Sequence, residues 1–239
     1  IIMDFFNYDI LLSLVTLTFL EIILGIDNLI FIALVVQKLP KKNRQNARIF
    51  GLSLALIIRV LMLLTLSWVM SLTKPLFSIG ENGISFKNLL LIFGGLFLIV
   101  KSGHEIIGDV FGSNHEAQEN SKMNVAKNTI GAIIQIIIVD FVFSFDSVIT
   151  AIGMTNNIPV IVVAVVISMI VMLLASESIT HFLKTYPSLK IVALAFIFMI
   201  GVILLIDGFN FHASKGYLYF ALFFTLAVES LNIIAKKRH

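Results

Sequence analysis

The sequence predicts an all-α polytopic membrane protein with seven transmembrane helices, arranged as an inverted 3+3 repeat plus one extra helix. Three observations carry this expectation. Of 239 residues, 59% are hydrophobic and 13% charged, whereas a soluble domain is nearer half apolar and about a quarter charged. Apolar runs longer than about 18 residues recur along the chain, and each can cross a bilayer. One acidic motif occurs twice, starting at Glu21 and at Asp140, inside two of those runs.

The spans are expected at about 10–36, 48–72, 86–108, 126–154, 159–181, 189–208 and 217–235. Together they make a single transmembrane domain over residues 4–235, with repeats at about 10–108 and 126–208 and the extra helix at about 217–235. Pro40, Pro75, Pro159 and Pro187 punctuate the breaks, because proline lacks the N–H and crowds the preceding turn. Lys38, Lys41, Lys42, Arg44, Arg48, Lys122, Lys127, Lys184, Lys190, Lys236, Lys237 and Arg238 fall on one side, against Lys74, Lys87 and Lys215 on the other. By the positive-inside rule the N-terminus is expected outside and the C-terminus in the cytoplasm.

The same features exclude other classes. Basic residues confined to short loops do not make a nucleic-acid surface. The absence of cysteine rules out disulfides and thiolate metal sites. The opening IIMDFFNYD has no basic segment ahead of its apolar residues, so a cleaved signal is not expected. The long third loop carries His104–Glu105 and His115–Glu116. These pairs could collect a metal ion, but a solvated polar loop is the favoured reading.

The duplicated motif is the informative feature. LEIILGIDNLIFIAL in span one lies over VDFVFSFDSVITAIG in span four, matching Glu21 with Asp140, Asp27 with Asp146 and Asn28 with Ser147. A weaker match sets Gly95 of span three over Gly201 of span six, with Lys101 over Asp207. The copies lie three spans apart, so they are inverted, and inverted repeats place a substrate site near the bilayer midplane. On an ideal helix Glu21 and Asn28 share a face, as do Asp140 and Ser147, while Asp27 and Asp146 point aside. A local break at Gly25, and a second near Ser144, would turn the latter acids inward and free carbonyl oxygens. Facing helices would bring Glu21 near Asp146 and Asp27 near Asp140.

Each carboxylate costs roughly 3 kcal/mol at the bilayer centre, so the four must face inward and be compensated. Arg59 in span two can neutralise one of them. A divalent cation or protons would supply the rest. Carboxylate, amide, hydroxyl and carbonyl oxygens are hard ligands that suit Mn²⁺, Ca²⁺ or Mg²⁺. The candidate metal ligands are therefore Asp27, Asn28, Asp146, Ser147, Glu21 and Asp140, with Arg59, Glu229 and Asn232 as accessories. Crowded acids that hold protons until metal expels them would give metal/proton antiport. Thr225, Glu229 and Asn232 share one face of span seven, which packs inward or forms a subunit contact in a homo-oligomer. Glu177 and His181 are read as an exit vestibule or a helix-end pair.

At LEIILGIDNLIFIALVVQKLP, DFVFSFDSVITAIGM and GFNFHASKGYLYFALFFTLAVESLN the chain resembles the TerC family of integral membrane proteins. The resemblance covers about residues 4–235. It implies a bacterial inner-membrane protein associated with manganese efflux, which makes Mn²⁺ the expected cargo and Ca²⁺ the second. An enzyme is not expected. An intramembrane aspartyl protease would share a proton between two aspartates, and its usual Gly-x-Gly-Asp and tyrosine signals are absent around Asp27 and Asp146. A membrane partner that delivers metal without transporting it is the alternative. An amino-acid exporter would not need so many acids.

Overall fold

The computed structural model describes residues 8–79, 82–111, 122–155, 157–211 and 215–237. It is helical except for one short hairpin, so the all-α membrane class holds. In chain order the elements are α1 (Tyr8–Leu24), α2 (Ile26–Gln37), α3 (Lys41–Leu64), α4 (Leu66–Ser71), β1 (Pro75–Ile79), β2 (Asn82–Ser85), α5 (Phe86–Val110), α6 (Lys122–Met154), α7 (Ile158–Thr185), α8 (Pro187–Gly208) and α9 (Lys215–Lys237).

Among the described residues, α3, α5, α6, α7 and α8 are each long and apolar enough to cross a membrane. Helices α1 and α2 meet at a 43° bend and count as a sixth candidate when the pair is taken as one broken span. The expected seventh span falls on α9, whose apolar stretch is Gly216–Glu229. That stretch is shorter than the roughly 20 residues a bilayer core asks for.

Pro40, Pro159 and Pro187 mark helix starts rather than ends, and Pro75 opens a strand. Pro40 is the N-cap of α3, and Pro187 opens α8. The first helical turn has no use for the missing N–H, and the fixed φ suits it. Helix α3 therefore begins at Lys41, ahead of the expected start of span two, and takes in the charged segment KKNRQNAR. Arg44 holds this entry by donating from Nε to the Leu39 carbonyl and from Nη2 to the Gln37 carbonyl, at 2.6 and 2.8 Å.

The hairpin β1–β2 was not foreseen. It pairs Ile79 with Asn82 and Ser78 with Gly83. Its sequence signal is the segment GENG, since an Asn-Gly or Gly-rich pair between short apolar runs marks a hairpin. Ser85 then caps α5 in a reciprocal capping box with Asn88.

The chain falls into two compact units. The first comprises Ile1–Lys74 with Ser121–Thr180, and the second Pro75–Asn120 with His181–His239. In the first unit α3 packs most closely on α6, with Gly51 lying under Ile136, and α2 packs on both. A buried apolar cluster of Met62, Val69 and Phe145 backs the α3–α6 contact. In the second unit α5 and α8 form a close pair, and α9 lies on α8. Gly95 and Gly201 meet there, and a Cβ on either would come within 2.6 or 2.8 Å of the other's carbonyl oxygen. Asn88 of α5 donates to the Gly208 carbonyl at 3.0 Å and to Asn210 at 2.7 Å. Asn210 holds φ of 64°, a left-handed conformation that asparagine tolerates.

Candidate functional site

The first span breaks where glycine allows it. The Gly25 N–H reaches back only to the Ile22 carbonyl at 3.2 Å, and its carbonyl then starts α2 by accepting from Leu29 at 3.0 Å. Packing explains why the position is glycine. A Cβ here would meet Met172 Sδ of α7 at 2.6 Å and the Glu21 carbonyl oxygen at 3.0 Å. Gly25→Ala is therefore expected to cost about 1–3 kcal/mol through overpacking. Met172→Ala in the same chain should recover part of that loss. Unfolding midpoints of the single and double variants would check this, and additive losses would count against the contact.

The expected break at Ser144 does not occur. Helix α6 runs unbroken from Lys122 to Met154. The Ser144 hydroxyl is engaged with side chains instead of competing for the backbone. It donates to Asp140 Oδ2 at 3.0 Å and accepts from Arg59 Nε at 2.9 Å.

Arg59 is the centre of the arrangement. Its side chain is 2% exposed, and it donates from Nη1 to Glu21 Oε2 at 2.9 Å and from Nη2 to Asp140 Oδ1 at 3.1 Å. A guanidinium can do this because it is planar and forked. The arginine expected to neutralise one acid thus holds two, and they are the matched first acids of the duplicated motif. Asn28 joins the cluster by donating from Nδ2 to the same Asp140 Oδ1 at 3.1 Å. Because its amide is held this way round, the Asn28 carbonyl oxygen is left buried with no hydrogen bond. A buried acceptor without a donor costs about 1–3 kcal/mol, and it is a ready hard ligand for a cation.

Asp27 is buried next to Asn28 in the first turn of α2. Asp146 is half-buried, and its carbonyl accepts from the Thr150 hydroxyl at 2.9 Å. Ser147 is buried and donates to the Ser144 carbonyl at 3.3 Å. So Glu21 meets Asp140 through Arg59, rather than facing Asp146 as expected from the ideal helix. Among the described residues, no three His, Cys, Asp or Glu side chains gather closely enough to hold a metal ion by themselves.

Glu229 and Asn232 lie on α9 in the second unit and pair with each other at 3.3 Å. Glu177 pairs with Arg48 at 2.9 Å rather than with His181. His115 and Glu116 lie outside the described residues. Ser144 is the member of the cluster that was read only as a helix breaker. Its signal was its place one turn after Asp140, which puts hydroxyl and carboxylate on one face.

The family model described as "Integral membrane protein TerC family" matches residues 6–239. The chain belongs to the TerC family. Among curated TerC relatives, a "UPF0053 protein" of Haemophilus influenzae (strain Rd) is 46% identical over 222 residues, covering 93% of this chain and 92% of that protein. The "UPF0053 inner membrane protein YgdQ" of Escherichia coli K12 is 46% identical over 228 residues, covering 95% and 94%. The longer "UPF0053 inner membrane protein YoaE" of the same strain is also 46% identical, over 230 residues, and this chain spans 43% of its length. No solved structure matches.

Proposed function

We propose that this TerC-family protein exports a divalent metal cation, Mn²⁺ first and Ca²⁺ second, across the bacterial inner membrane in exchange for protons. The observation that carries the reading is the buried cluster around Arg59. Two carboxylates, Glu21 and Asp140, share one guanidinium, which leaves a formal charge of about −1 inside an apolar layer. Asn28 presents an orphaned carbonyl oxygen beside them. Buried negative charge lined by hard oxygen donors suits a hard cation or a proton. Asp27, Asp146 and Ser147 complete the ligand set as the cation passes.

Further support comes from the organisation of the chain. The first two spans of each predicted repeat fall in one compact unit, and the third span of each falls in the other. The matched glycines Gly95 and Gly201 lie against each other, a contact compatible with inverted repeats. The relative YgdQ is named an inner membrane protein, which supports that location here. The basic loops put the N-terminus outside and the C-terminus in the cytoplasm, with α9 as the seventh crossing and as the surface for any homo-oligomer.

The test is Mn²⁺ flux in proteoliposomes under an imposed pH gradient. Wild type should move Mn²⁺ in proton-dependent fashion, and Asp27→Asn and Asp146→Asn should each reduce the flux by about 100-fold or more. Folded wild-type protein that moves neither Mn²⁺ nor Ca²⁺ would overturn export in favour of metal delivery without transport.

A further inference from the structure

Taking cation export as its starting point, we infer that Arg59 is a tethered counter-cation, which occupies the acids between transport events and gives them up when the cargo binds. The geometry points to this role in three ways. First, each of the three guanidinium nitrogens of Arg59 has a buried partner. Nε, Nη1 and Nη2 donate to Ser144, Glu21 and Asp140 respectively. Second, the carboxylate oxygens it holds are among those that a hard cation would need. A divalent ion and a guanidinium repel each other, and more strongly in a buried site than in water. They cannot both draw on Glu21 Oε2 and Asp140 Oδ1. Third, no trio of acids stands ready among the described residues, so a cation site here has to be assembled by rearrangement.

Ser144 accepts from Nε independently of Nη1 and Nη2, so the guanidinium keeps one partner when the carboxylates turn away. Asn28 is the complementary part. Its amide already grips Asp140 and leaves a carbonyl oxygen buried without a donor. A cation that recruits Asp140 from Arg59 gains that oxygen as well. Return of the guanidinium then displaces the cation, so Arg59 sets release as well as binding.

The experiment measures Mn²⁺ affinity and Mn²⁺ flux of purified wild type, Arg59→Met and Arg59→Lys. Methionine removes the competitor. Lysine keeps a positive charge but loses the fork that reaches both acids. Binding should tighten about tenfold or more in Arg59→Met and by a smaller factor in Arg59→Lys, while flux falls in both because the cation is not displaced. A merely structural arginine would leave affinity equal or weaker. If Arg59→Met does not fold, Arg59→Lys decides alone: tighter binding supports the role, and equal or weaker binding overturns it. Wild type that neither binds nor moves Mn²⁺ or Ca²⁺ would bring down the export reading itself. Wild type that moves Mn²⁺, with Arg59→Lys binding it no more tightly, would bring down this inference alone.

Discussion

Asp140→Leu is expected to destabilise the protein by about 3–5 kcal/mol, the cost of breaking a buried ion pair from one side. Asp140 accepts from Arg59, Asn28 and Ser144 at once. Leucine satisfies none of these donors, and none of them can reach bulk water. Glu21 remains to hold one nitrogen of Arg59, which keeps the loss from being larger. Arg59→Met added to Asp140→Leu should cost less than the sum of the two single changes, because it removes the stranded charge. Denaturant unfolding in detergent would measure both. A loss below about 1 kcal/mol for Asp140→Leu would mean that the guanidinium finds another partner and that the cluster is weakly coupled.

Gly201→Val is expected to cost about 3 kcal/mol or more, at the upper end of overpacking effects. Its Cβ would lie 2.8 Å from the Gly95 carbonyl oxygen, 2.9 Å from Ile99 and 3.0 Å from the Ile99 amide nitrogen. Two of those three neighbours are backbone, so relief requires α5 and α8 to separate. Small residues let helix backbones approach closely inside a membrane, where packing rather than water drives association. Gly108→Ala on α5 is the control, because nothing lies within 4 Å of its Cβ position. A shared, small shift in the unfolding midpoint for both variants would show that the α5–α8 contact opens without penalty.

Membrane class and the approximate positions of the long apolar helices were legible in the sequence, because each rests on local composition. The break at Gly25 was placed from residue type alone. What sequence could not supply was the partner of each side chain. Glycine at position 25 permits a break, but Met172, far along the chain, is what fills the space beside it. Ser144 looked like a breaker because a serine in a helix competes for carbonyls, yet Asp140 and Arg59 claim its hydroxyl first. An ideal helix put Glu21 opposite Asp146. The bend of 43° and the reach of one arginine brought Glu21 to Asp140 instead. Glu177 looked local to His181, but its partner Arg48 comes from another helix.

The break at Gly25 also makes the two copies of the motif electrically unequal. An interrupted helix has two ends inside the apolar layer, and each carries a partial charge from its aligned peptide dipoles. The amide end of α2 is positive and has Asp27 in its first turn, so it favours a carboxylate there. The carbonyl end of α1 is negative and favours a cation. Unbroken α6 offers neither pole around Asp146. The first repeat therefore presents a fixed field that substitution of a side chain does not remove, while the second presents side chains alone. Charge-neutralising changes at Asp27 and Asp146 accordingly act on different backgrounds.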